Sequence, residues 1–351
     1  MAISRVLSSD SGGQAEESFN LALRPQNLSE CIGQENVKAK LNIAVTAAIQ
    51  RSEPLEHILF YGPPGLGKTT LAHVIANEMG AAIRVSSGPA LTKQGDVMGL
   101  LSNVGTGDIL FIDEVHRLSA PVEEFMYPAM EDFKVDFTVD SGLHAKTINF
   151  PLKRFTLIGA TTRAGLVTAP LRGRFGMLFH LDFYTPAELG QIAARSAKLL
   201  DLECADGALE LIAARSRGTP RVANRLLKRV RDYAQVKGKG KLTTDIVEQA
   251  LKMEQIDKFG LDELDRSFLR ALINVYEGGP AGIEAIAATL GEEKDTLADV
   301  VEPYLLQIGF VRRTKRGREA TKQAFDHLGL KYHKKNDTSE NQTPLFDEHN
   351  S

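Results

Sequence analysis

Short apolar runs alternate with stretches of helical periodicity in the first half of the chain. Four runs rich in β-branched and aromatic residues predict buried strands at 58–61, 82–85, 108–114 and 155–162. A helix is predicted from about residue 36 to residue 51, with an apolar stripe formed by Ala39, Ile43, Ala47 and Ala48. Strands that alternate with helices favour an α/β domain in which helices cover both faces of a parallel sheet.

A two-residue alternation marks residues 134–150. Val135, Phe137 and Val139 alternate with polar residues before a turn at residues 140–142, and the alternation resumes after it. This pattern predicts a β-hairpin inserted into the α/β domain. Such a hairpin is either an edge pair of the sheet or a protruding contact device.

The second half of the chain predicts two further domains. Residues 186–256 are helical with no predicted strand, which is typical of a small helical domain. Residues 257–333 outline a winged helix: a short strand and a glycine turn follow three predicted helices, at 262–277, 283–290 and 294–307. The large domain then spans residues 21–185, and the polar segments 1–20 and 334–351 are expected to be flexible tails.

The composition is that of a globular protein in a reducing compartment. The 351-residue chain is long enough for two or three domains. Cys31 and Cys204 are its only cysteines, which excludes a disulfide framework. No apolar run approaches the roughly 20 residues that span a bilayer, and the N-terminus lacks the features of a signal peptide. We expect a cytoplasmic protein without a membrane partner, and its net charge of −3 requires that any nucleic-acid contact use a local basic patch.

A glycine-rich segment follows the first predicted strand and precedes a predicted helix; it reads Gly62-Pro63-Pro64-Gly65-Leu66-Gly67-Lys68-Thr69-Thr70. The pattern G-x-x-x-x-G-K-[ST] in this context is a phosphate-binding loop. Its backbone N–H groups and the positive end of the helix dipole would surround phosphate oxygens. Lys68 would reach the β- and γ-phosphates, and the Thr69 hydroxyl would ligate Mg²⁺. We therefore expect contacts with a nucleoside triphosphate from Gly65, Gly67, Lys68, Thr69 and Thr70.

Polar side chains end the next two strands. Asp113 and Glu114 close an apolar strand, where an open parallel sheet places its ligands. Asp113 is expected to hold hydrated Mg²⁺, and Glu114 to orient the water that attacks the γ-phosphate. A carboxylate pair alone is often a solvated loop, but the upstream phosphate loop favours the catalytic interpretation. Thr161 and Thr162 end the following strand, where a hydroxyl could bond the water or the γ-phosphate, or simply close the strand.

Two arginine-rich stretches complete the candidate chemistry. Arg172 and Arg174 form either a surface pair or the source of an arginine that a neighbouring subunit supplies to neutralise charge on the transferred phosphoryl group. Residues 312–318 place five cations around a glycine turn. Such a segment predicts salt-sensitive binding to a nucleic-acid backbone, without base reading. A solvated charged loop is the alternative.

Several segments resemble those of AAA+ ATPases: GPPGLGKTT, ILFIDEVHRL, FTLIGATTRAG, PLRGRFG and GTPRVANRLLKRV. With SGPALTKQGD, YPAMEDF and EPYLLQIGFVRRTKRGR in the same order, the chain more narrowly resembles the RuvB family of Holliday-junction branch-migration motors, from about Leu23 to Gly329. The resemblance implies an AAA+ parallel-sheet domain, a small helical lid domain and a C-terminal winged-helix domain. It further implies a hexameric, Mg²⁺-dependent, ATP-hydrolysing ring that moves double-stranded DNA in recombination, repair and the SOS response.

The resemblance also implies partners and roles for single residues. A RuvA-like junction-binding protein would dock on the hairpin 134–150, and a RuvC-like resolvase would be a further partner. Arg174 matches an arginine finger that acts on the neighbouring subunit's ATP, and Thr161 and Thr162 fall on sensor 1. Expected ATP contacts are Leu23, Arg24, Glu131, Asp132, Phe133, Tyr184 and, at sensor 2, Arg221. Expected DNA contacts are Arg313, Arg316 and Arg318.

The sequence departs from the family pattern at two positions and leaves other functions open. Gly173 stands where the finger loop commonly has an acid, and Lys315 replaces a proline of the wing. A clamp-loader-type AAA+ ATPase would share the nucleotide motifs without needing the wing or the hairpin. A nucleotide-gated DNA adaptor would bind without hydrolysis, against which Glu114 argues. A small-molecule kinase is disfavoured because no segment resembles a lid for an acceptor substrate.

Overall fold

A parallel five-stranded sheet forms the centre of the first domain in the computed structural model, which describes residues 22–139 and 146–332. Its strands are β1 (Ile58–Tyr61), β2 (Ile83–Ser87), β3 (Ile109–Asp113), β6 (Thr156–Thr161) and β7 (Met177–His180). The strand order is β2-β3-β6-β1-β7, and all pairs within it are parallel. The predicted parallel α/β sheet is confirmed, but the edge strand β7 was not predicted.

Two hydrophobic layers cover the faces of this sheet. Phe60 and Phe111 belong to one layer, whereas Leu59 and Leu110 belong to the other, because successive side chains of a strand point to opposite faces. The helices of this domain are Glu35–Arg51, Lys68–Glu78, Gln94–Leu101, Ala120–Glu131 and Ala169–Gly173.

The apolar stripe predicted for the first helix is wrong at all positions but Ala48. The helix spans Glu35–Arg51 as expected, but Ile43 is 72% exposed. The core contacts come from Val37, Leu41, Val45 and Ala48. Ala48 was correctly predicted, but Val37, Leu41 and Val45 each lie two residues before a predicted position, or about 200° around the helix, and they bury larger side chains than alanine does.

The segment around the predicted hairpin forms its own two-stranded sheet. β4 (Lys134–Val139) pairs antiparallel with β5 (Lys146–Pro151), and neither strand joins the central sheet. The predicted turn at 140–142 lies outside the described residues. Ile148 and Phe150 are 51% and 38% exposed, so the pair presents apolar side chains to solvent.

The next domain is built from helices around a small core of its own. Its helices are Pro186–Leu199, Ala208–Ala214, Pro220–Lys237 and Thr244–Met253. The expectation that this region contains no strand is wrong, because β8 (Glu203–Cys204) and β9 (Lys241–Leu242) form a short parallel pair. Two residues are too few to show a periodic pattern.

The last domain is a winged helix with its own core. Its helices are Glu263–Arg270, Ile283–Leu290, Lys294–Thr296, Glu302–Gln307 and Lys322–His327. π-Helical turns at Ala271–Val275 and Leu297–Val301 interrupt two of the predicted helices. β10 (Val311–Thr314) and β11 (Gly317–Ala320) form the wing as an antiparallel pair. Within the described ranges, no helix has the length and apolar character needed to span a bilayer.

Candidate active site

The phosphate-binding loop connects β1 to the helix Lys68–Glu78. Gly62 has φ of 140°, and a Cβ there would lie 2.5 Å from the Leu181 carbonyl oxygen. Gly67, at the N-terminus of the helix, has φ of 96°. Both positions need glycine because other residues rarely adopt this conformation. The loop therefore holds its backbone in the shape that a phosphate cradle requires.

Lys68 is buried within this loop and is 7% exposed. Its Nζ donates hydrogen bonds to the carbonyl oxygens of Gly62 and Pro63, both at 2.9 Å. Burial lowers the pKa of Lys68 to about 8, and the charges of Asp113 and Glu114 partly oppose this effect. A buried ammonium whose hydrogen bonds go to neutral carbonyls fits an anionic ligand, so the site suits the phosphates of ATP.

Asp113 and Glu114 lie at the carboxyl end of β3, as predicted. The Asp113 carboxylate accepts a hydrogen bond of 2.9 Å from the Glu114 backbone N–H. Glu114 has φ of 52°, a strained conformation of the kind that clusters at functional sites. Burial, and then the neighbouring charge of Asp113, raise the pKa of the Glu114 carboxyl. The two acids thus sit in different environments, as two acids with different tasks require.

His116 links Glu114 to Thr161, and sequence reasoning missed it. Its Nε2 lies 3.3 Å from a Glu114 carboxylate oxygen, and its Nδ1 lies 2.8 Å from the Thr161 hydroxyl oxygen. Burial, followed by the charges of Arg163 and Arg117, lowers the pKa of His116 and favours the neutral ring. A neutral ring with hydrogen on Nε2 accepts a hydrogen bond from the Thr161 hydroxyl and presents its N–H side to the Glu114 carboxylate. Its position two residues after the acid pair was the only available signal.

A cleft of about 1070 Å³ extends over the phosphate loop. Predicted residues that line it are Leu23, Arg24, Gly65, Gly67, Lys68, Thr69, Thr70, Asp113, Glu114, Thr162, Tyr184 and Arg221. Thr161 is fully buried beside it and connects through His116. Most of the predicted nucleotide site is therefore brought together within one chain.

The helical domain and the segment that leads into it both contact the phosphate loop. The Arg221 backbone N–H and the Tyr184 hydroxyl donate to the carbonyl oxygens of Gly65 and Leu66, each at 3.3 Å. Arg195, which the sequence analysis did not single out, donates to the Leu23 carbonyl oxygen at 2.6 Å. The cleft thus has walls from both domains, as in other sites at domain junctions.

Glu131, Asp132, Phe133 and Arg174 do not line this cleft within the described residues. Arg174 donates to Glu131 at 3.3 Å and to the Pro170 carbonyl oxygen at 2.8 Å, and its guanidinium lies 4.0 Å from the centroid of the Tyr127 ring. The ATP contacts expected of residues 131–133 are therefore not formed with the cleft of their own chain. Arg174 itself is held in place by Glu131, the Pro170 carbonyl oxygen and the Tyr127 ring, without a contribution from an acid at position 173, where this chain has glycine.

A buried carboxylate organises the wing. Glu302 is 0% exposed and accepts hydrogen bonds from both Arg313 and Arg318 at 2.7–3.1 Å. Burial alone would raise the pKa of Glu302, but the hydrogen bonds from Arg318 and Arg313 outweigh it and lower this pKa. Arg316 lies exposed at the turn. The three predicted DNA contacts therefore differ: Arg318 is mostly buried with its acid, whereas Arg316 faces solvent.

A phosphate loop after β1, a pair of acids at the carboxyl end of β3, with β6 between these two strands, and a helical lid together define an AAA+ nucleoside triphosphatase. Three family models match consecutive parts of the chain: the RuvB P-loop domain at residues 23–181, the RuvB AAA lid domain at 184–257 and the RuvB C-terminal winged helix domain at 258–329. The chain belongs to the RuvB family of AAA+ ATPases.

Relatives match over nearly the whole chain. The RuvB subunit of the Holliday junction branch migration complex of Kosmotoga olearia is 58% identical, over 90% of this chain and 92% of the relative. The corresponding subunit of Ligilactobacillus salivarius is 54% identical, over 94% and 98%. The solved structure of the Thermotoga maritima RuvB Holliday junction branch migration motor has a TM-score of 0.82 at 52% identity, covering 89% of this chain and all of that one.

Proposed function

We propose that this protein is the ATP-driven subunit of a machine that moves double-stranded DNA through Holliday junctions in recombination and repair. Two relatives named as RuvB subunits of the Holliday junction branch migration complex match 90% and 94% of this chain. The observation that carries the proposal is the cleft itself, where buried Lys68 faces the Asp113–Glu114 pair beneath a helical lid. The exposed cations of the wing supply a backbone-binding surface on the same chain.

The residues of the cleft divide the work of hydrolysis. Lys68 and the loop N–H groups would bind the phosphates, and Arg221 would bind them from the lid. The Thr69 hydroxyl and the Asp113 carboxylate are hard oxygen donors that suit Mg²⁺, which would neutralise charge on the phosphates. Glu114, held by His116, would orient the attacking water. Its negative charge is needed for that role, so hydrolysis should slow as pH falls through its raised pKa.

Assembly would complete the site. Arg174 lies outside the cleft of its own chain and is held by Glu131 and Tyr127. We infer that it acts on the ATP of the neighbouring subunit in a hexameric ring, with Glu131, Asp132 and Phe133 beside it. The β4–β5 pair exposes Ile148 and Phe150, an apolar surface suited to a RuvA-like partner. A RuvC-like resolvase would act on the junction in the same assembly.

Branch migration of a synthetic four-way junction tests the function. The purified protein with ATP and Mg²⁺ should convert the junction to two duplexes, and a RuvA-like partner should accelerate the reaction. The matched variant Glu114→Gln should bind ATP and DNA but should not convert the junction to duplexes. ATP hydrolysis without branch migration, even with the partner present, would contradict the proposal.

A further inference from the structure

The winged-helix domain forms one wall of the nucleotide cleft. Four of its carboxylates line this wall: Glu292, Glu293, Asp295 and Asp299. A triphosphate carries several negative charges, so these acids oppose its entry unless cations intervene. Asp299 is also among the charges that raise the pKa of Glu114, after burial and Asp113, which places it within electrostatic reach of the catalytic acid.

Arg163 of the first domain neutralises part of this acidic wall. Its Nε lies 2.8 Å from Asp299 Oδ1, and its Nη2 lies 2.8 Å from Asp299 Oδ2. The same Nη2 lies 2.9 Å from Asp295 Oδ1. A bidentate arginine–carboxylate pair is among the stronger polar contacts in proteins. This cluster therefore ties the winged-helix domain to the carboxyl end of β6, the middle strand of the central sheet.

Arg163 is also part of the active site. It lines the cleft, and its backbone N–H donates to the Thr161 hydroxyl oxygen at 3.0 Å. Thr161 contacts His116, which contacts Glu114, so the same short segment holds both the catalytic acid and the winged-helix domain. Asp299 lies in the π-helical turn Leu297–Val301, a type of irregularity that is frequent at functional sites.

We propose that Arg163 is shared between two anions: the Asp295–Asp299 pair of the winged-helix domain and the terminal phosphate of a bound triphosphate. When the terminal phosphate binds the Arg163 guanidinium, Asp295 and Asp299 lose their cationic partner and lie near another anion. The winged-helix domain then loosens from the first domain. This inference rests on the proposed function only in assuming that the cleft binds ATP.

Linkage fixes the sign of the effect. If ATP weakens the contact of Arg163 with Asp295 and Asp299, then removing that contact must strengthen ATP binding by the same factor. Coupling between two sites typically amounts to a factor of about 5 to 150. Since Arg163 and the acids are partly exposed to solvent, we expect the low end of this range.

Two measurements test the proposal without DNA or hydrolysis. In the double variant Asp295→Asn/Asp299→Asn, the slowly hydrolysed analogue ATPγS should bind about five to ten times more tightly than in the native protein, by calorimetry. In the native protein, ATPγS should increase amide hydrogen exchange in residues 294–301, and ADP, which lacks the terminal phosphate, should increase it less. Glu284→Gln removes an exposed ion pair with Lys294 outside the cleft, and it should leave ATPγS affinity unchanged.

Each contrary result is decisive. Native affinity in the double variant would overturn the proposal. Tighter ATPγS binding in that variant, without increased hydrogen exchange in the native protein, would mean that the acids only repel the nucleotide. That result would also overturn the proposal. If the double variant does not fold, the exchange experiment on the native protein decides alone. Neither experiment measures branch migration, so failure here leaves the proposed motor function standing.

Discussion

Arg217 of the lid and Asp265 of the winged-helix domain form a buried ion pair. Their Nη1 and Oδ2 atoms are 2.9 Å apart, and the side chains are 4% and 0% exposed. Arg217 also donates to the Val300 carbonyl oxygen at 2.8 Å, and its guanidinium lies 4.9 Å from the centroid of the Tyr304 ring. One arginine thus joins the lid to three parts of the winged-helix domain, so these two domains should move together.

Removal of Asp265 should destabilise this pair of domains. In Asp265→Ala the Arg217 guanidinium remains buried without its carboxylate, and breaking such a pair costs about 3–5 kcal/mol of unfolding free energy. Denaturant unfolding, followed by hydrogen exchange in the lid and the winged helix, would measure the loss. Arg270→Ala is the control, because its pair with Glu263 is exposed and should contribute less than about 1 kcal/mol. Equal effects of the two variants would refute the burial argument.

ATP affinity should weaken at alkaline pH. The pKa of Lys68 is lowered to about 8 in the free protein by burial, so its ammonium is charged below that value and increasingly neutral above it. Binding of a triphosphate favours the charged form, so the dissociation constant should rise by up to about tenfold per pH unit above pH 8. Nucleotide titrations between pH 7 and pH 10 would measure this rise. In Lys68→Arg the side chain stays charged over this range. The ATP affinity of that variant, although lower, should therefore not fall between pH 8 and pH 10.

Loss of His116 should reduce turnover more than binding. The hydrogen bond from Thr161 fixes the His116 ring beside Glu114, and such a bond contributes about 0.5–1.5 kcal/mol. If His116 positions Glu114 for catalysis, His116→Ala should lower kcat by up to about 10-fold and leave ATP affinity within about twofold. Steady-state phosphate release and nucleotide titration would separate the two quantities. His180→Ala, at an exposed pair with Asp182, should change neither; a weaker ATP affinity with normal kcat in His116→Ala would contradict this role.

Mixed rings would reveal whether Arg174 acts across a subunit boundary. Lys68→Ala should abolish nucleotide binding. Arg174→Ala should bind ATP, but its kcat should fall by at least about 10³-fold. When the two variants are mixed, some interfaces pair an intact phosphate loop with an intact arginine, so ATPase activity should partly return. Light scattering must confirm that mixed oligomers form. Mixed oligomers that remain inactive would argue that Arg174 acts within its own chain.

The wing arginines should respond differently to substitution. Arg316 is exposed, so Arg316→Ala should weaken duplex binding equally for all sequences and reduce the dependence of log affinity on log salt by about one. Arg318 is a buried partner of Glu302, so Arg318→Ala should lower the stability of the winged helix as well. Binding titrations across salt concentrations and thermal unfolding would distinguish the two. Similar salt slopes and stabilities in both variants would contradict the difference in burial.

Sequence patterns were strongest where a motif depends on local backbone. The phosphate loop, the acid pair and most strands could be predicted because a strand, a glycine turn and a helix N-terminus each leave a short-range signature. The edge strand β7 was missed because its four residues are too few to reveal a period. The apolar stripe of the helix Glu35–Arg51 was misplaced because two faces of that helix carry apolar residues, and only the packed core distinguishes them.

By itself, the sequence determined the class of chemistry: a lysine in a glycine loop, a pair of acids at a strand end, and a basic wing. Tertiary structure alone decided which charges meet. Arg163 and Asp299 are 136 residues apart in the chain, and Arg217 and Asp265 are 48 apart, yet each pair forms hydrogen bonds. Periodicity records which side of an element faces the core. It contains nothing about the partner that another domain brings to a side chain, because that depends on how the domains pack.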